Sequence, residues 1–257
     1  IIEGIVAHKH LITDEPVPNS FPLVEGKTIK RYYLEPTRKF IEWDLKNIHR
    51  KRPDYLWKND KKILIQRISG GLKPLVAALD TNKLKTFASV NNLVLKEAYN
   101  KYYNFFLAVI NSDLINWYYS INFSNQSDLT VNISKTYLEI IPVKGIAYNN
   151  EIEIIASWLM QIHRIEGQGI TSRFLEELIN SIIFQSYFEE EIKKANKEVV
   201  KNLGSLKRLD DTMSDEKILS IIQSEFNRLY DPNHPVRNNI ETLDSVEEVR
   251  IIKEALK

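Results

Sequence analysis

Short apolar runs separated by turn-forming segments dominate the first 150 residues, a pattern that is typical of β-strands. In residues 61–69 (KKILIQRIS), apolar side chains stand at positions 63, 64, 65 and 68, and the run ends at Gly70-Gly71. We predict three further strand segments in the same part of the chain. They are residues 75–80 (LVAALD), 86–96 (TFASVNNLVLK, with a turn at Asn91-Asn92) and 136–144 (TYLEIIPVK, ended by Pro142).

The densest aromatic segment, residues 102–124, carries eight aromatic side chains in 23 positions. Its apolar residues recur every three or four positions, which predicts helix, and Ser112 is the expected N-cap of a second helix within the segment. Aromatic residues at helical spacing usually lie in a core. We therefore expect these rings to be buried and not to form a base-stacking surface.

Longer helical patterns follow residue 150. Ser214 and Asp244 stand where N-caps are expected, and Glu247 occupies the capping-box position after Asp244. The sequence thus predicts an α+β protein, with a mixed β-sheet domain over residues 1–150 and a mainly helical domain over residues 151–257. The predicted helices are residues 150–166, 171–203, 214–230 and 244–257.

Composition excludes several classes of protein. The sequence has no cysteine, so disulfides and zinc-thiolate sites are impossible, and we expect a cytoplasmic protein. The longest apolar run in the aromatic segment, residues 105–110, is far shorter than the roughly 20 residues of a membrane span. We therefore predict no membrane partner.

Charge is divided unevenly along the chain. The formal net charge is only +1, but residues 1–150 carry 21 Lys/Arg against 14 Asp/Glu, and residues 151–257 carry 14 against 20. Residues 26–101 are the most basic part, with 18 Lys/Arg against 7 Asp/Glu. This asymmetry indicates a polyanionic partner such as nucleic acid for the first part.

Motifs for cofactor binding and methyl transfer are missing from these 257 residues. Gly167-Gln168-Gly169 follows a predicted helix and lacks a third glycine, so we interpret it as a helix terminator. The Asn/Asp-Pro-Pro-aromatic loop with which amino-methyltransferases hold adenine is absent, because no two prolines are adjacent. We therefore assign no catalytic residue and no cofactor to this part of the protein.

One pattern is similar to a metal-dependent nuclease site. Asp54 and the Asp60-Lys61-Lys62 sequence echo the two carboxylates and the lysine of such a site. Five residues between the acids leave too little chain to turn between two strands, so a solvated loop is the favoured interpretation. His8 and His10 have no acidic cluster beside them in the sequence, and we predict no metal site.

Binding chemistry is concentrated in three segments. Basic residues can neutralise phosphates, and Gln, Asn and Arg have the donor geometry to read base edges. The predicted phosphate-binding residues are Lys27, Lys30, Arg31 and Lys73. The predicted base-reading residues are Gln66, Arg67, Asn125 and Gln126.

Four segments occur in a characteristic order: residues 26–32 (GKTIKRY), 62–68 (KILIQRI), 107–118 (LAVINSDLINWY) and 138–143 (LEIIPV). In this order they resemble the TaqI-like C-terminal specificity domain of adenine-specific DNA methyltransferases. The resemblance covers about residues 20–145. One departure from the family pattern is Val109, where the family often has a smaller residue. Residues 174–192 are similar to the helix that follows this domain in type IIG restriction-modification enzymes, with Asn180 in place of the usual Asp.

The resemblance implies a target-recognition domain that binds double-stranded DNA and presents an adenine to a methyltransferase domain. That domain, and a fused endonuclease domain if there is one, would belong to the same parent chain and precede residue 1, which is Ile and not Met. S-adenosylmethionine would then be the cofactor of the parent chain, with Mg²⁺ if a nuclease is fused. The helical part would pack against the catalytic domains or act as a spacer.

Two other interpretations stay open beside the nuclease. One is a specificity subunit of a type I restriction system, although only one recognition unit is visible and no long coiled-coil spacer. The other is an interaction module that does not bind DNA.

Overall fold

The computed structural model describes residues 1–44, 46–123, 131–210 and 212–257. Their fold is α+β, as predicted: short strands in mixed sheets dominate the first part, and helices dominate the chain after residue 149. The strands are β1 (Ile2–Glu3), β2 (Val6–Ala7), β3 (Ile12–Thr13), β4 (Ser20–Val24), β5 (Ile29–Lys30), β6 (Tyr33–Leu34), β7 (Phe40–Glu42), β8 (Ile48–His49), β9 (Lys62–Gln66), β10 (Ile68–Ser69), β11 (Ala77–Asp80), β12 (Lys85–Thr86), β13 (Val90–Leu93) and β14 (Val131–Asn132).

The α-helices include four that exceed ten residues, and short 3₁₀ turns connect several of them. Within the described residues, no helix combines the length and the apolar character that a membrane span requires. The helices are α1 (Tyr55–Lys58), α2 (Tyr103–Asn111), α3 (Asp113–Phe123), α4 (Lys135–Leu138), α5 (Asn149–Ile165), α6 (Ile170–Tyr187), α7 (Glu189–Lys194), α8 (Asp215–Leu229), α9 (Pro235–Glu241) and α10 (Glu247–Ala255).

By contact density the chain forms two compact units. The first comprises Ile1–Tyr103 and Tyr119–Ile141, and the second comprises Asn104–Tyr118 and Pro142–Lys257. The functional division at residue 150 stays a prediction.

The strand predicted over residues 61–69 contains β9, an inner strand of a four-stranded sheet whose order is β1-β13-β9-β11 with antiparallel neighbours. Ile63, Leu64 and Ile65 of β9 have no exposed surface, which explains why the apolar residues form a continuous run and do not alternate. The register of β9 with β11 places Asp80 directly opposite Lys62. This pair is fully buried at the end of the ladder.

The predicted turn at Asn91-Asn92 is wrong, because both residues lie inside β13 and are buried. Their polar side chains are satisfied by tertiary partners, since Asn91 Nδ2 donates to Ile133 O (2.8 Å) and Asn92 Nδ2 donates to Ile2 O (3.1 Å). The predicted strand over residues 136–144 is also wrong. The chain forms α4 there, and Ser134 Oγ caps it by accepting from Thr136 N.

The aromatic segment is helical as predicted, and its rings are buried only in part. It forms α2 and α3, and Ser112 Oγ accepts from Ile115 N at the start of α3 (3.3 Å). The rings of Tyr103, Phe105 and Tyr119 are buried, and the other five aromatic residues are half-buried. None of the eight is in the exposed class, which favours a packing role over base stacking.

Helix positions after residue 149 follow the predictions closely at α5 and α8, where Ser214 Oγ accepts from Lys217 N as the predicted N-cap. The predicted helix over residues 171–203 is divided into α6, α7 and a 3₁₀ turn. The predicted cap at Asp244 is wrong, because that residue lies in a 3₁₀ turn and α10 begins at Glu247. Helix α9 begins at Pro235, a favourable first helical residue, and was not predicted.

In the second four-stranded sheet, β12-β4-β7-β3, Lys85 of β12 lies among three aromatic rings. Lys85 Nζ lies 4.2 Å from the ring centroid of Trp43, 4.9 Å from that of Phe21 and 5.1 Å from that of Trp57. Burial, and secondarily the charge of Lys62, lower the pKa of Lys85 to about 8. Lys85 is only 8 % exposed.

Lys85→Met is expected to stabilise the protein at pH 7 by about 1–2 kcal/mol. The folded pKa lies below the ordinary value of 10.5, so between these two values the unfolded chain holds the proton more tightly and stability rises with pH. The advantage of the Met variant should therefore shrink between pH 8 and pH 10, as measured by urea midpoints. Lys96→Met, at an exposed lysine, is the control, and an advantage that persists at pH 10 would contradict the prediction.

Candidate nucleic-acid interface

The basic segment KTIKRYY forms a β-hairpin that fixes the position of Arg31. Strands β5 and β6 pair Lys30 with Tyr33, which leaves Arg31 and Tyr32 as the two-residue turn. Tyr32 is buried with a left-handed φ of 64°, and its N–H donates to Ala77 O (2.9 Å). A buried aromatic at this turn anchors the hairpin, and Arg31 next to it is half-buried.

Lys27 and Lys30 are exposed, but acids of the same segment neutralise them. Lys27 Nζ lies 3.0 Å from Glu25 Oε2, and Lys30 Nζ lies 3.7 Å from Glu35 Oε1. Lys27 lines a cleft of about 670 Å³ that Glu25, Glu35 and Asp14 also line. The local charge is therefore mixed, and phosphate binding here would compete with these pairs.

Gln66 has its amide nitrogen occupied. Gln66 Nε2 donates to Ile29 O (2.7 Å) and so ties the end of β9 to the start of the hairpin. This bond uses one of the two amide N–H donors and does not involve the acceptor oxygen, so it restrains the side chain without excluding contact with a base edge. Its role as a base reader stays a prediction.

Ser89 joins the same two segments. Its hydroxyl accepts from Gly26 N and its carbonyl accepts from Arg67 N, both at 2.9 Å. A Cβ at Gly26 would lie 2.7 Å from Ser89 O, so the close approach requires glycine. The predicted residues 27–31 and 66–67 are thus held side by side.

Arg67 belongs to a group of three arginines around one carboxylate, here called the arginine cluster: Arg50, Arg52, Arg67 and Glu3. Arg67 Nη2 lies 3.2 Å from Glu3 Oε1, and Arg52 Nη2 and Arg50 Nη1 lie 3.5 and 3.6 Å from Glu3 Oε2. The side chain of Arg50 is 64 % exposed, whereas those of Arg67 and Arg52 are 30 % and 18 % exposed. The cluster is therefore open to solvent through Arg50 and closed behind Arg52.

Backbone carbonyls hold two of the guanidinium groups in place. Arg52 Nε donates to Gly4 O (2.9 Å), and Arg67 Nη1 donates to Ala88 O (3.2 Å). Arg50 follows β8, which pairs with β2, and adopts a left-handed φ of 46°. Such a backbone conformation is unfavourable for arginine, and strained residues of this kind concentrate at functional sites.

Among the described residues, one carboxylate faces three guanidinium groups in this cluster, so two positive charges remain unbalanced. Burial lowers the pKa of Arg52, with Glu3 opposing the shift and the nearby Arg50 and Arg67 adding to it. Guanidinium groups match phosphate oxygens with two parallel N–H donors. The arrangement makes the cluster a candidate anion site, with Glu3 as an internal counter-ion.

Glu3, Arg50 and Arg52 were not among the site residues predicted from the sequence. The signal that could have found the last two is the basic run of residues 49–52 (HRKR). Glu3 carries no such signal, because its role comes from the pairing of β1 with β13.

The remaining predicted binding residues are Lys73, Asn125 and Gln126. Lys73 is half-buried in the connection between β10 and β11. Asn125 and Gln126 lie outside the described residues, so their predicted role stays a prediction.

The two acids of the nuclease-like pattern each pair with a separate lysine. Asp54 Oδ2 lies 3.3 Å from Lys58 Nζ, and Asp60 Oδ1 lies 2.8 Å from Lys83 Nζ. In the part of the chain that the structure describes, no group of three or more His, Asp or Glu side chains is arranged to hold a metal ion.

Comparisons with known proteins give a family match and a similar solved structure. Residues 21–143 match the family described as the TaqI-like C-terminal specificity domain. A solved structure of the type IIL restriction-modification enzyme MmeI in complex with DNA is similar over 82 % of this chain, with 8 % sequence identity and a TM-score of 0.44. The chain spans 31 % of the length of that enzyme's chain. No curated protein sequence matches this one.

Proposed function

We propose that this chain, whose residues 21–143 are a TaqI-like C-terminal specificity domain, is the DNA-recognition module of a restriction-modification enzyme. The family match is the observation that carries the proposal, because the family is defined by target specificity. The partner would be double-stranded DNA. The four segments that resemble the specificity domain, residues 26–32, 62–68, 107–118 and 138–143, all lie inside the matched residues.

The arginine cluster supports the proposal chemically. Affinity for duplex DNA comes largely from Lys and Arg contacts with phosphates, and sequence is read by side chains that reach base edges. Arg52 and Arg67 offer fixed guanidinium groups, and Arg50 extends into solvent beside them. We propose that, among the residues that the structure describes, the arginine cluster makes the main phosphate contacts. Secondary contacts would come from Lys27, Lys30, Arg31 and Lys73.

For the parent protein we propose an adenine-specific DNA methyltransferase of the type IIG kind in the cytoplasm, possessing a catalytic domain that uses S-adenosylmethionine. A fused endonuclease domain would add a requirement for Mg²⁺. The module would position the target adenine for that catalytic domain. The helical residues 151–257, with their excess of acids, would contact the catalytic domains and not DNA.

Duplex binding with steep salt dependence is the expected result for the full 257-residue chain. For non-specific duplexes we expect a Kd of about 1–100 μM at about 150 mM salt, and binding about ten- to thirtyfold tighter at about 50 mM. Fluorescence anisotropy with a labelled 30-bp duplex measures this, and selection from random duplexes then gives the recognised site. Absence of duplex binding at low salt would contradict the proposal.

A further inference from the structure

A glycine loop with exposed apolar side chains lies directly beside Arg67. Ile68 and Leu72 flank Gly70-Gly71 and are 59 % and 49 % exposed. Ile121 is 62 % exposed and is adjacent to Ser120, whose hydroxyl donates to Leu72 O (3.2 Å). We call Ile68, Leu72 and Ile121 the apolar tip.

The apolar tip is anchored. Strand β10 pairs with β14, so that Ile68 lies opposite Asn132 and Ser69 opposite Val131. The bond from Ser120 fixes the other end of the loop at Leu72. The exposed side chains therefore stand on an ordered support, and their conformational entropy is already reduced before a partner binds.

Isolated exposed aliphatic residues are common, but three on one anchored loop and helix end indicate a contact surface. Arg67 precedes the tip and Lys73 follows it in the chain. Apolar side chains flanked by cations are the arrangement with which proteins enter the minor groove and press between base steps. Charge complementarity thus favours DNA over an apolar protein surface as the occupant.

Gly71 makes close approach feasible. Gly71 has a left-handed φ of 76°, and a Cβ built there would have no neighbour within 4 Å. The backbone at this position therefore faces open space. Glycine at such a place permits the backbone to approach a ligand closely.

We propose that the apolar tip is a non-ionic DNA contact, with Ile68 and Leu72 seated in a groove of the duplex against the bases. The proposal rests on the proposed function. It adds a surface that contacts the bases, whereas the arginine cluster would contact the phosphate backbone. Because the contact is apolar, it adds affinity without adding counterion release.

The absence of cysteine from the chain permits a direct test. Single variants Ile68→Cys and Leu72→Cys, each carrying the chain's sole thiol, would react with a maleimide reagent in the absence and presence of a saturating 30-bp random duplex at about 50 mM salt. Labelling should slow at least about tenfold when duplex is bound. Ile251→Cys, 48 % exposed in α10, is the control and should label equally fast in both conditions.

The energetic counterpart uses Ile68→Ser and Leu72→Ser. Each should weaken duplex binding about three- to tenfold with the slope of log Kd against log salt unchanged, whereas Arg52→Ala should reduce that slope. Salt-dependent binding without thiol protection, or with full affinity in the Ser variants, would overturn the apolar tip and leave the proposed function intact. Absence of duplex binding by the unsubstituted 257-residue chain would overturn both the apolar tip and the proposed function.

Discussion

Asp80→Ala is expected to lower the free energy of unfolding by about 3–5 kcal/mol, because it leaves a buried ammonium group unpaired. Lys62 Nζ lies 2.7 Å from Asp80 Oδ2, and both side chains have no exposed surface. Lys62 Nζ also donates to Leu84 O (2.8 Å). Urea denaturation followed by near-UV circular dichroism measures the loss.

Two backbone N–H donors also lose their acceptor when this carboxylate is removed. Asn82 N and Leu84 N donate to the two oxygens of Asp80 at 2.7 and 3.0 Å, so the side chain also closes the turn after β11. The double variant Lys62→Met/Asp80→Asn removes both charges and keeps an acceptor for the turn. It should recover most of the stability that Asp80→Ala loses, since apolar replacement of a buried ion pair is often close to neutral.

A matched control is available on the surface of the same unit. The pair of Asp60 with Lys83 has nearly the same length, 2.8 Å, but its side chains are 86 % and 51 % exposed. Asp60→Ala should therefore change stability far less than Asp80→Ala, because solvent screens exposed pairs. Equal losses in the two variants would contradict a role for burial.

The Asp80→Ala defect should also depend on pH. Burial lowers the pKa of Lys62 in the folded protein, and Asp80 opposes that shift. Without Asp80 the folded pKa falls further below that of the unfolded chain, so stability rises with pH through the interval between the two values. The variant should thus be least stable below this interval and recover toward alkaline pH.

Residue patterns predicted the elements that are decided locally. The β-branched run at β9 and the 3.6-residue periods of α5 and α8 were sufficient, because their burial follows directly from the periodicity. The turn predicted at Asn91-Asn92 was wrong for the opposite reason. Their turn propensity is overridden by partners 42 and 90 residues away, which no local pattern shows.

The site was less predictable than the fold. Arg67 was identified from the chemistry of its side chain, but its partners come from β1 and from the residues after β8. Lys27 and Lys30 were identified by their charge, and the acids that pair with them lie within the same segment. Charge counting finds a basic region, and only the tertiary structure separates paired cations from unbalanced ones.

Arg52→Ala/Arg67→Ala is expected to weaken duplex binding by roughly 30- to 100-fold at about 50 mM salt and to reduce the salt slope by about 2. Both guanidinium groups are fixed by carbonyl oxygens, so they would meet phosphates with little loss of conformational entropy. Arg52→Lys/Arg67→Lys keeps the charge but loses the planar fork, and should recover the slope more fully than the affinity. Anisotropy titrations at four salt concentrations measure both quantities.

Lys27→Ala/Lys30→Ala is the matched control, because it removes the same number of charges from positions that are paired with Glu25 and Glu35. It should change affinity several-fold less than the arginine variant.

Glu3→Gln separates a role of the arginine cluster in DNA binding from a purely structural role. If the cluster is only structural, losing Glu3 should harm the protein as losing Arg52 does, but if it binds phosphate, removing the competing carboxylate should tighten duplex binding. Opposite signs for Glu3→Gln and Arg52→Ala/Arg67→Ala are therefore the expected result, and weaker binding in both would contradict the phosphate site.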